Sequence, residues 1–219
     1  MIGYFVTGTD TNVGKTHVGC ALARRARARG QRVFAFKPIE TGCLPDGAGA
    51  LVGADQQLLA AAAGGWQSGD ERGLYQFPLP AAPLVAAEHA GGVIDLARIQ
   101  WTLRHVIEQA SPDLTLVEGA GGWRVPITAE VDMAGLALRL GFPIIAVARA
   151  TLGTINHSLL TIEAIERQGA SLAALVLSKQ PADDPIAAAS NQHEIQRRWP
   201  GLVVLLEEDH ATLDPLLDS

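Results

Sequence analysis

The 219-residue sequence has only two cysteines, few aromatic residues and little charge. Cys20 and Cys43 are too few for a disulfide framework, and no zinc-site spacing of Cys or His accompanies them. Aromatic residues make up 5% of the chain and charged residues 18%, against 48% hydrophobic residues. This composition excludes an intrinsically disordered chain and favours a globular core of small and aliphatic side chains.

A surplus of positive charge and a long apolar run are also missing. The formal net charge is -6, and an acidic chain is a poor default binder of nucleic acid. No apolar run reaches the roughly 18 residues that a membrane span needs. The N-terminus lacks the basic and apolar regions of a secretory signal. We therefore expect a cytoplasmic protein without a nucleic-acid or membrane partner.

Strand and helix patterns alternate along the chain. Short runs rich in Val, Ile, Leu and Phe predict strands at residues 2–6, 32–36, 113–117, 143–148, 172–177 and 202–206. Apolar residues at helical spacing predict helices at residues 14–29, 53–63, 95–109, 131–140, 154–168 and 184–198. Residues 64–93 show little periodicity. The pattern predicts a single α/β domain over residues 1–219, with a mostly parallel sheet covered by helices on both faces.

The segment between the first predicted strand and the first predicted helix has the composition of a phosphate-binding loop. Gly8 and Gly14 enclose five residues, one more than the standard spacing, and Lys15 and Thr16 follow. Glycine permits a sharp turn that aims backbone N–H groups at an anion, and a helix N-terminus adds its positive dipole. Lys15 is expected to reach the terminal phosphates of a nucleotide, and Thr16 to ligate Mg²⁺. The sequence thus predicts a P-loop NTPase-type domain.

Further polar residues follow other predicted strands or begin helices. Lys37 follows the second strand, where it is either a second cation near the phosphates or a surface lysine at a turn. Asp55 begins a helix and serves either as a metal ligand or as a cap. Glu118 ends an apolar strand, at the position of the second metal-binding acid of P-loop enzymes. The alternative is that the glycine-rich turn after it has only a structural role. Residues 152–157 open a helix that either binds a carboxylate or is capped by Thr154.

Four segments together resemble the dethiobiotin synthetase family of the biotin pathway. They are YFVTGTDTNVGKT (4–16), KPIETG (37–42), VEGAGGW (117–123) and LGTINH (152–157). The resemblance extends from residue 1 to about residue 180. It implies ligase activity that uses ATP and Mg²⁺ to close a ureido ring on 7,8-diaminononanoate with CO₂ or bicarbonate, through a carbamate and a carbamic–phosphoric anhydride. It also implies a homodimer with a shared substrate site.

The same resemblance assigns roles to individual residues. It implies that Lys37 and Lys15 are catalytic and that Thr16, Asp55 and Glu118 ligate Mg²⁺. Nucleotide contacts are implied for Asn12, Val13, Gly14, Lys15, Thr16, His17, Asp55, Glu118, Gly119, Ala120, Gly121 and Ser178. Substrate contacts are implied for Thr11, Thr41, Gly153, Thr154 and Asn156, of which the last three are expected to act across the dimer interface.

The chain departs from the family pattern at three places. Asn12 stands where the family often has Glu, and Ser178 stands where an Asn usually reads the adenine. Residues 205–210 lack the usual Gly-x-Ile-Pro turn near the base. These departures predict an enzyme that discriminates weakly between nucleotide bases.

Three other functions compete with this interpretation. Partitioning-type ATPases place a second lysine five residues before the loop lysine, where this chain has Asp10. Ligases of the cobyrinate diamide synthetase type need an attached glutaminase domain, for which the sequence has neither the length nor a Cys–His pair. A non-catalytic nucleotide-binding paralogue is disfavoured because Lys15, Thr16, Lys37 and Glu118 are all present.

Overall fold

The structure is a computed structural model that describes residues 1–180 and 183–218. Its strands are β1 (Ile2–Gly8), β2 (Val33–Phe36), β3 (Ile39–Thr41), β4 (Leu44–Pro45), β5 (Leu51–Val52), β6 (Tyr75–Phe77), β7 (Leu114–Gly122), β8 (Ile144–Arg149), β9 (Leu172–Ser178) and β10 (Val203–Leu205). The α-helices are α1 (Lys15–Ala28), α2 (Ala54–Ala62), α3 (Pro83–His89), α4 (Leu96–Ala110), α5 (Met133–Leu140), α6 (Thr154–Arg167) and α7 (Pro185–Gln196). Short 3₁₀ helices span Gly69–Glu71 and Ala211–Leu216.

Six strands form a central sheet in the order β10-β9-β8-β1-β7-β2, and every neighbouring pair is parallel. The carboxyl ends of these strands therefore share one edge, and the loops after β1, β7 and β2 are neighbours there. All six strands predicted from the sequence are present in this sheet. The expected parallel α/β fold is thus confirmed.

Helices cover both faces of the sheet. The face that contains Val6 and Leu116 packs against α1, α2 and the C-terminal 3₁₀ helix. The opposite face, which contains Phe5 and Val117, packs against α3 to α7. Burial on both faces explains why the central strands are almost continuously apolar rather than alternating. Within the described ranges, no helix has the length and apolar character needed to cross a membrane.

Asp side chains cap α4, α5 and α7, and at α6 the cap differs from one of the expected alternatives. The Asp95 side chain caps α4, accepting hydrogen bonds from the N–H groups of Ala97 and Arg98 at 2.8 and 3.3 Å. The alternative in which Thr154 caps α6 is wrong, because Gly153 occupies the N-cap and Thr154 is the first helical residue. The Thr154 hydroxyl is buried and lies 3.4 Å from that of Ser158.

Residues 64–93 contain more regular structure than the sequence indicates. Strand β6 pairs in parallel with β3, and α3 follows it. Both elements are too short for a periodic pattern to be visible, since β6 has three residues and α3 has seven. Strand β7 is also longer than predicted and continues to Gly122. Its glycines resemble a turn in sequence, but Gly122 pairs with Gly8 of β1 after an irregularity in the register, and Gly121 has a positive φ of 70°.

Leu59 offers a test of how α2 is held on the sheet. Its side chain is 1% exposed and packs beside Gly19 of α1, where a Cβ would lie 3.0 Å from Leu59 Cδ2. Leu59→Ala is expected to lower the free energy of unfolding by about 2–5 kcal/mol, because it leaves a cavity. The matched control is Leu58→Ala, one residue away and 52% exposed, which is expected to change stability by about 0.5 kcal/mol or less. Urea denaturation monitored by circular dichroism measures both, and equal losses would contradict this packing.

Candidate active site

The loop between β1 and α1 has the backbone shape of a phosphate cradle. Gly14 has a positive φ of 99°, and a Cβ there would lie 2.4 Å from the Ser178 hydroxyl oxygen. Only glycine fits this position, because both its φ and the contact exclude a side chain. Asn12 is also left-handed, with φ 58°. Helix α1 begins directly after Gly14, whose missing side chain leaves the first N–H groups of the helix available to an anion.

A cavity of about 290 Å³ opens at the carboxyl edge of the sheet beside this loop. Four separate parts of the chain contribute its walls. The lining residues are Thr11, Asn12, Gly14, Lys15, Thr16, His17, Lys37, Glu40, Thr41, Asp55, Glu118, Ala120 and Gly121. Every one of them except Glu40 is a site residue predicted from the sequence.

The remaining predicted site residues lie outside this cavity. Val13 and Gly119 are buried against the hydrophobic core. Ser178 is buried and packs behind the loop against Gly14. The residues expected to contact substrate from the start of α6 are Gly153 and Asn156, which are exposed, and Thr154, which is buried. A role for this segment across a dimer interface stays a prediction.

The cavity contains a buried charge cluster centred on Lys37. Its ammonium donates a hydrogen bond to Glu118 Oε1 at 2.9 Å and another to the carboxylate of Asp55. The Thr16 hydroxyl donates to the same Glu118 oxygen at 2.8 Å. Lys37 is only 6% exposed, so it is not a surface lysine. Asp55 is the second residue of α2 and faces Lys37, whereas Gly53 holds the N-cap position, so the alternative of Asp55 as a cap is wrong.

Strand alternation explains why Glu118 meets these partners. Side chains two residues apart on a strand point to the same face, so Glu118 shares the face of Leu116, on which α1 packs. Thr16 lies in the first turn of α1, directly over this face. Strand β7 also pairs with β2, which ends immediately before Lys37. Adjacent parallel strands thus bring the carboxylate, the hydroxyl and the ammonium together.

The two lysines differ in electrostatic environment. Burial lowers the pKa of Lys37, but the charges and hydrogen bonds of Glu118 and Asp55 outweigh it, and the net shift is upward. Lys37 therefore keeps its proton and acts as a fixed positive charge. For Lys15 the net pKa shift is downward, because burial and the charge of Lys37 together exceed the attraction of the carboxylates. Its ammonium donates to the backbone oxygen of Asp10 at 3.2 Å.

The oxygen atoms around Lys37 fit a magnesium ion. Glu118 Oε2 is buried and has no hydrogen-bond partner among the described residues, and buried oxygens rarely stay unpaired. The Thr16 hydroxyl contacts the other oxygen of this carboxylate, and Asp55 supplies a second carboxylate that contacts Lys37. In the part of the chain that the structure describes, no three His, Cys, Asp or Glu residues are grouped to hold a metal. Two carboxylates and a hydroxyl instead suit Mg²⁺, which typically completes its shell with water and phosphate oxygens.

Comparison with known proteins identifies the family. A family model described as an AAA domain matches residues 3–204. The chain is 44% identical over 198 residues to the ATP-dependent dethiobiotin synthetase BioD of Anaeromyxobacter dehalogenans strain 2CP-C, covering 90% of this chain and 85% of that protein. It is 39% identical over 196 residues to the protein of the same name from Aromatoleum aromaticum, covering 89% and 85%. The chain belongs to the dethiobiotin synthetase family.

This assignment confirms the family and the enzyme class expected from the sequence motifs, an ATP-dependent ligase. Solved structures of low sequence identity support the fold alone. The MinC:MinD cell division complex of Aquifex aeolicus matches with TM-score 0.57 and 13% identity, over 100% of this chain and 86% of that one. The signal recognition particle receptor FtsY of Elizabethkingia anophelis matches with TM-score 0.56 and 13% identity, over 99% of this chain and 64% of that one. The predicted P-loop NTPase-type fold is confirmed.

A second cavity, of about 490 Å³, adjoins the first at His17, which lines both. The His17 and His210 rings meet edge to face, with their centroids 5.9 Å apart. The other lining residues are Lys179, Gln180, Asp183, Pro185, Leu206, Glu207 and Glu208. The lining therefore includes Leu206, Glu207 and Glu208 of the region 205–210, in which this synthetase-family chain departs from the family pattern.

The cysteines offer no nucleophile to this synthetase-family site. Cys20 and Cys43 are 4% and 3% exposed. Burial raises the pKa of each thiol to about 11. Both side chains therefore stay protonated and unreactive near neutral pH, since the thiolate is the nucleophilic form.

Glu118→Gln tests the magnesium fit. The substitution removes one negative charge and turns an oxygen ligand into an amide, so we expect the Mg²⁺ concentration that supports half-maximal ATP binding to rise by at least about tenfold. Isothermal titration of ATP at a series of Mg²⁺ concentrations measures this. Glu108→Gln, on the exposed face of α4, is the charge-matched control and is expected to bind like the wild type. An unchanged Mg²⁺ dependence in Glu118→Gln would remove Glu118 from the metal shell.

Proposed function

We propose that the chain converts 7,8-diaminononanoate, CO₂ and ATP to dethiobiotin, ADP and phosphate. The observation that carries this proposal is the convergence of the loop lysine, a second buried lysine and a magnesium-type oxygen set on one cavity. Thr11 and Thr41 line the same cavity and are the proposed substrate contacts within one chain. The family assignment supports the same reaction.

The proposed chemistry needs no covalent enzyme intermediate. One amine of the substrate adds to CO₂ and loses a proton, which gives a carbamate. A carbamate oxygen then attacks the γ-phosphorus of ATP, and ADP leaves as a carbamic–phosphoric anhydride forms. The second amine attacks the anhydride carbonyl carbon, expels phosphate and closes the ureido ring. The site has to position these groups and stabilise charge, which agrees with the unreactive cysteines.

The lysines stabilise the charge that moves during phosphoryl transfer. Lys15 is the proposed partner of the β- and γ-phosphates, because it follows the loop and lies in the first turn of α1. Burial is the largest cause of the lowered pKa of Lys15, and the charge of Lys37 adds to it, so an anion between the two lysines would offset that repulsion. Lys37, held protonated, stabilises the negative charge of the transferred group and of the departing phosphate. Its fixed position means that little reorganisation is needed during the reaction.

Thr16, Asp55 and Glu118 would hold the magnesium ion. Bound there, the ion would neutralise charge on the nucleotide phosphates. Glu118 supplies a buried oxygen that has no partner among the described residues, and Thr16 supplies the hydroxyl expected of this position in a P-loop.

The adjoining cavity is the proposed site of the nucleotide base. It adjoins the phosphate site at His17, the third residue of α1, which lines both cavities. Ser178, which stands in place of the family's adenine-reading Asn, is buried against Gly14 and does not belong to the cavity wall. Loss of this amide supports the prediction of weak base discrimination.

A homodimer with a site completed by the start of α6 is the proposed assembly. Leu152 is 100% exposed and Leu160 is 58% exposed, so this region presents apolar side chains beside Gly153 and Asn156. These two exposed leucines support the placement of the proposed interface at this region. The cytoplasmic location expected from the sequence stays a prediction.

The reaction itself is the first experiment. Purified protein with Mg-ATP and bicarbonate is expected to release ADP only when 7,8-diaminononanoate is added, with dethiobiotin identified by mass spectrometry. Lys15→Ala is the inactive control. ADP release at the same rate with and without the diamine would favour the partitioning-type ATPase. ATP binding without ADP release would favour the non-catalytic paralogue.

Lys37→Ala separates catalysis from binding. The ammonium is a fixed charge beside the carboxylates, so its loss is expected to lower kcat by about 10²–10³-fold. ATP affinity is expected to change little, because the loop and Lys15 remain. Steady-state kinetics and ATP titration measure the two effects, with Arg104→Ala on the exposed face of α4 as the control for loss of a cation. Equal losses of turnover and binding would make Lys37 a binding residue only.

Base selectivity follows from the surroundings of Ser178. A site without a dedicated amide for the base is expected to use ATP, GTP and CTP with kcat/KM values within about tenfold of one another. Steady-state assays of dethiobiotin formation, each with one nucleotide as the phosphate donor, measure the ratios. A strong preference for ATP would show that other groups of the second cavity read the base.

A further inference from the structure

Two buried polar side chains, Glu40 and Gln56, lie beside Lys37 and Asp55 and have no part in the chemistry described above. Glu40 is 7% exposed and Gln56 is 3% exposed. Burying a carboxylate or an amide costs free energy unless its polar atoms are hydrogen-bonded. Their hydrogen bonds therefore show what these residues hold in place.

Glu40 holds the beginning of α2. Its two carboxylate oxygens accept hydrogen bonds from the backbone N–H groups of Asp55 and Gln56, each at 3.0 Å. These N–H groups belong to the first helical turn and have no partner within the helix. Gly53, at the N-cap position, has no side chain to supply one. The Glu40 carboxylate, which belongs to β3, thus caps α2. It also sets the position of Asp55 relative to β3, the strand that follows Lys37.

Gln56 holds the backbone of Lys37. Its Nε2 donates to the Lys37 carbonyl oxygen at 3.0 Å, and its Oε1 accepts from Gln76 Nε2 at 2.6 Å. Glu40 and Gln76 are register partners in the β3–β6 pair, so their side chains share one face of that pair. Both reach the first turn of α2. The small β3–β6 sheet is therefore the base on which Lys37 and Asp55 are aligned.

Two glycines show how closely these groups pack. A Cβ at Gly53 would lie 2.4 Å from Gln56 Oε1 and 2.7 Å from Glu40 Oε2. A Cβ at Gly73 would lie 2.0 Å from Gln56 Nε2 and 2.4 Å from the Lys37 carbonyl oxygen. Side chains at these two positions would displace the network. The amide of Gln56 is thus tightly packed between the backbones of Gly53 and Gly73.

We propose that Glu40 and Gln56 are positioning residues for the phosphoryl-transfer site. Glu40 fixes the helix start that carries Asp55, and Gln56 fixes the backbone that carries Lys37. This inference rests on the proposed function insofar as Lys37 and Asp55 act in that reaction. Displacements of about 1 Å in a reacting group cost on the order of 100-fold in rate, so a loose α2 reduces turnover even when the nucleotide still binds.

The matched control is Gln67, another buried amide, which lies in the loop between α2 and the first 3₁₀ helix. Gln67 is 1% exposed, and its hydrogen bonds go to the backbone of Ala35 and to the Glu71 carbonyl oxygen. Gln56→Ala and Gln67→Ala therefore remove the same buried group with similar numbers of bonds. Only the first removes a bond to Lys37.

The test compares Glu40→Ala, Gln56→Ala and Gln67→Ala in full-length protein. All three are expected to lower Tm by similar amounts. Glu40→Ala and Gln56→Ala are expected to lower kcat for dethiobiotin formation by about 10- to 100-fold with little change in the KM for ATP, whereas Gln67→Ala keeps the wild-type kcat. Glu40→Gln retains the side-chain length and one accepting oxygen, and is expected to recover part of the activity and to replace Glu40→Ala if that variant does not fold.

Either of two kinetic results would overturn the inference: wild-type kcat in Glu40→Ala and Gln56→Ala, or an equal loss in Gln67→Ala. A crystal structure of the Glu40 variant gives a readout that does not depend on turnover. Separation of the Lys37 ammonium from the Asp55 carboxylate supports the inference, and their continued contact overturns it. If the wild-type protein forms no dethiobiotin, the proposed function fails, and the crystal structure still decides the positioning role.

Discussion

The site depends on two ion pairs of one buried lysine, because the ammonium of Lys37 lies between the buried carboxylate of Glu118 and the partly exposed carboxylate of Asp55. Removing charges from water is unfavourable unless each charge finds a partner of opposite sign and good geometry. These ion pairs therefore require that β2, β7 and α2 keep their relative positions. Thr16 adds α1 to this set through its bond to Glu118. The same contacts place the catalytic candidates and the magnesium-type oxygens in one cavity.

The parallel sheet makes this convergence possible. Its order places β7 between β1 and β2, so three segments that are distant in sequence end side by side at one edge. The phosphate loop follows β1, Lys37 follows β2, and Glu118 lies within β7 near the same edge. A core on each face of the sheet holds these strands and helices together. The functional side chains thus lie at the sheet edge where the loops meet, and the packed sheet and helices hold them in place.

Prediction from the sequence succeeded where a signal is local. The loop before α1 is recognisable because its glycines, lysine and threonine are neighbours in the chain, and the six core strands are recognisable as short apolar runs. Strand β6 and helix α3 were missed because three or seven residues are too few to show a period. Glu40 was missed for a different reason. Its partners are N–H groups fifteen and sixteen residues further along the chain, and no local pattern marks such a contact.

The sequence by itself determined the family, the fold class and the identity of the groups that carry charge, since these follow from residue type and short-range spacing. Only the tertiary structure decided between alternatives that the sequence left open. It made Lys37 a buried partner of Glu118 rather than a surface residue, and Asp55 a partner of Lys37 rather than a cap. The physical reason is that burial and pairing are properties of chain segments in contact. A carboxylate at a helix start has the same sequence signature whether it meets its own backbone or a lysine from another strand.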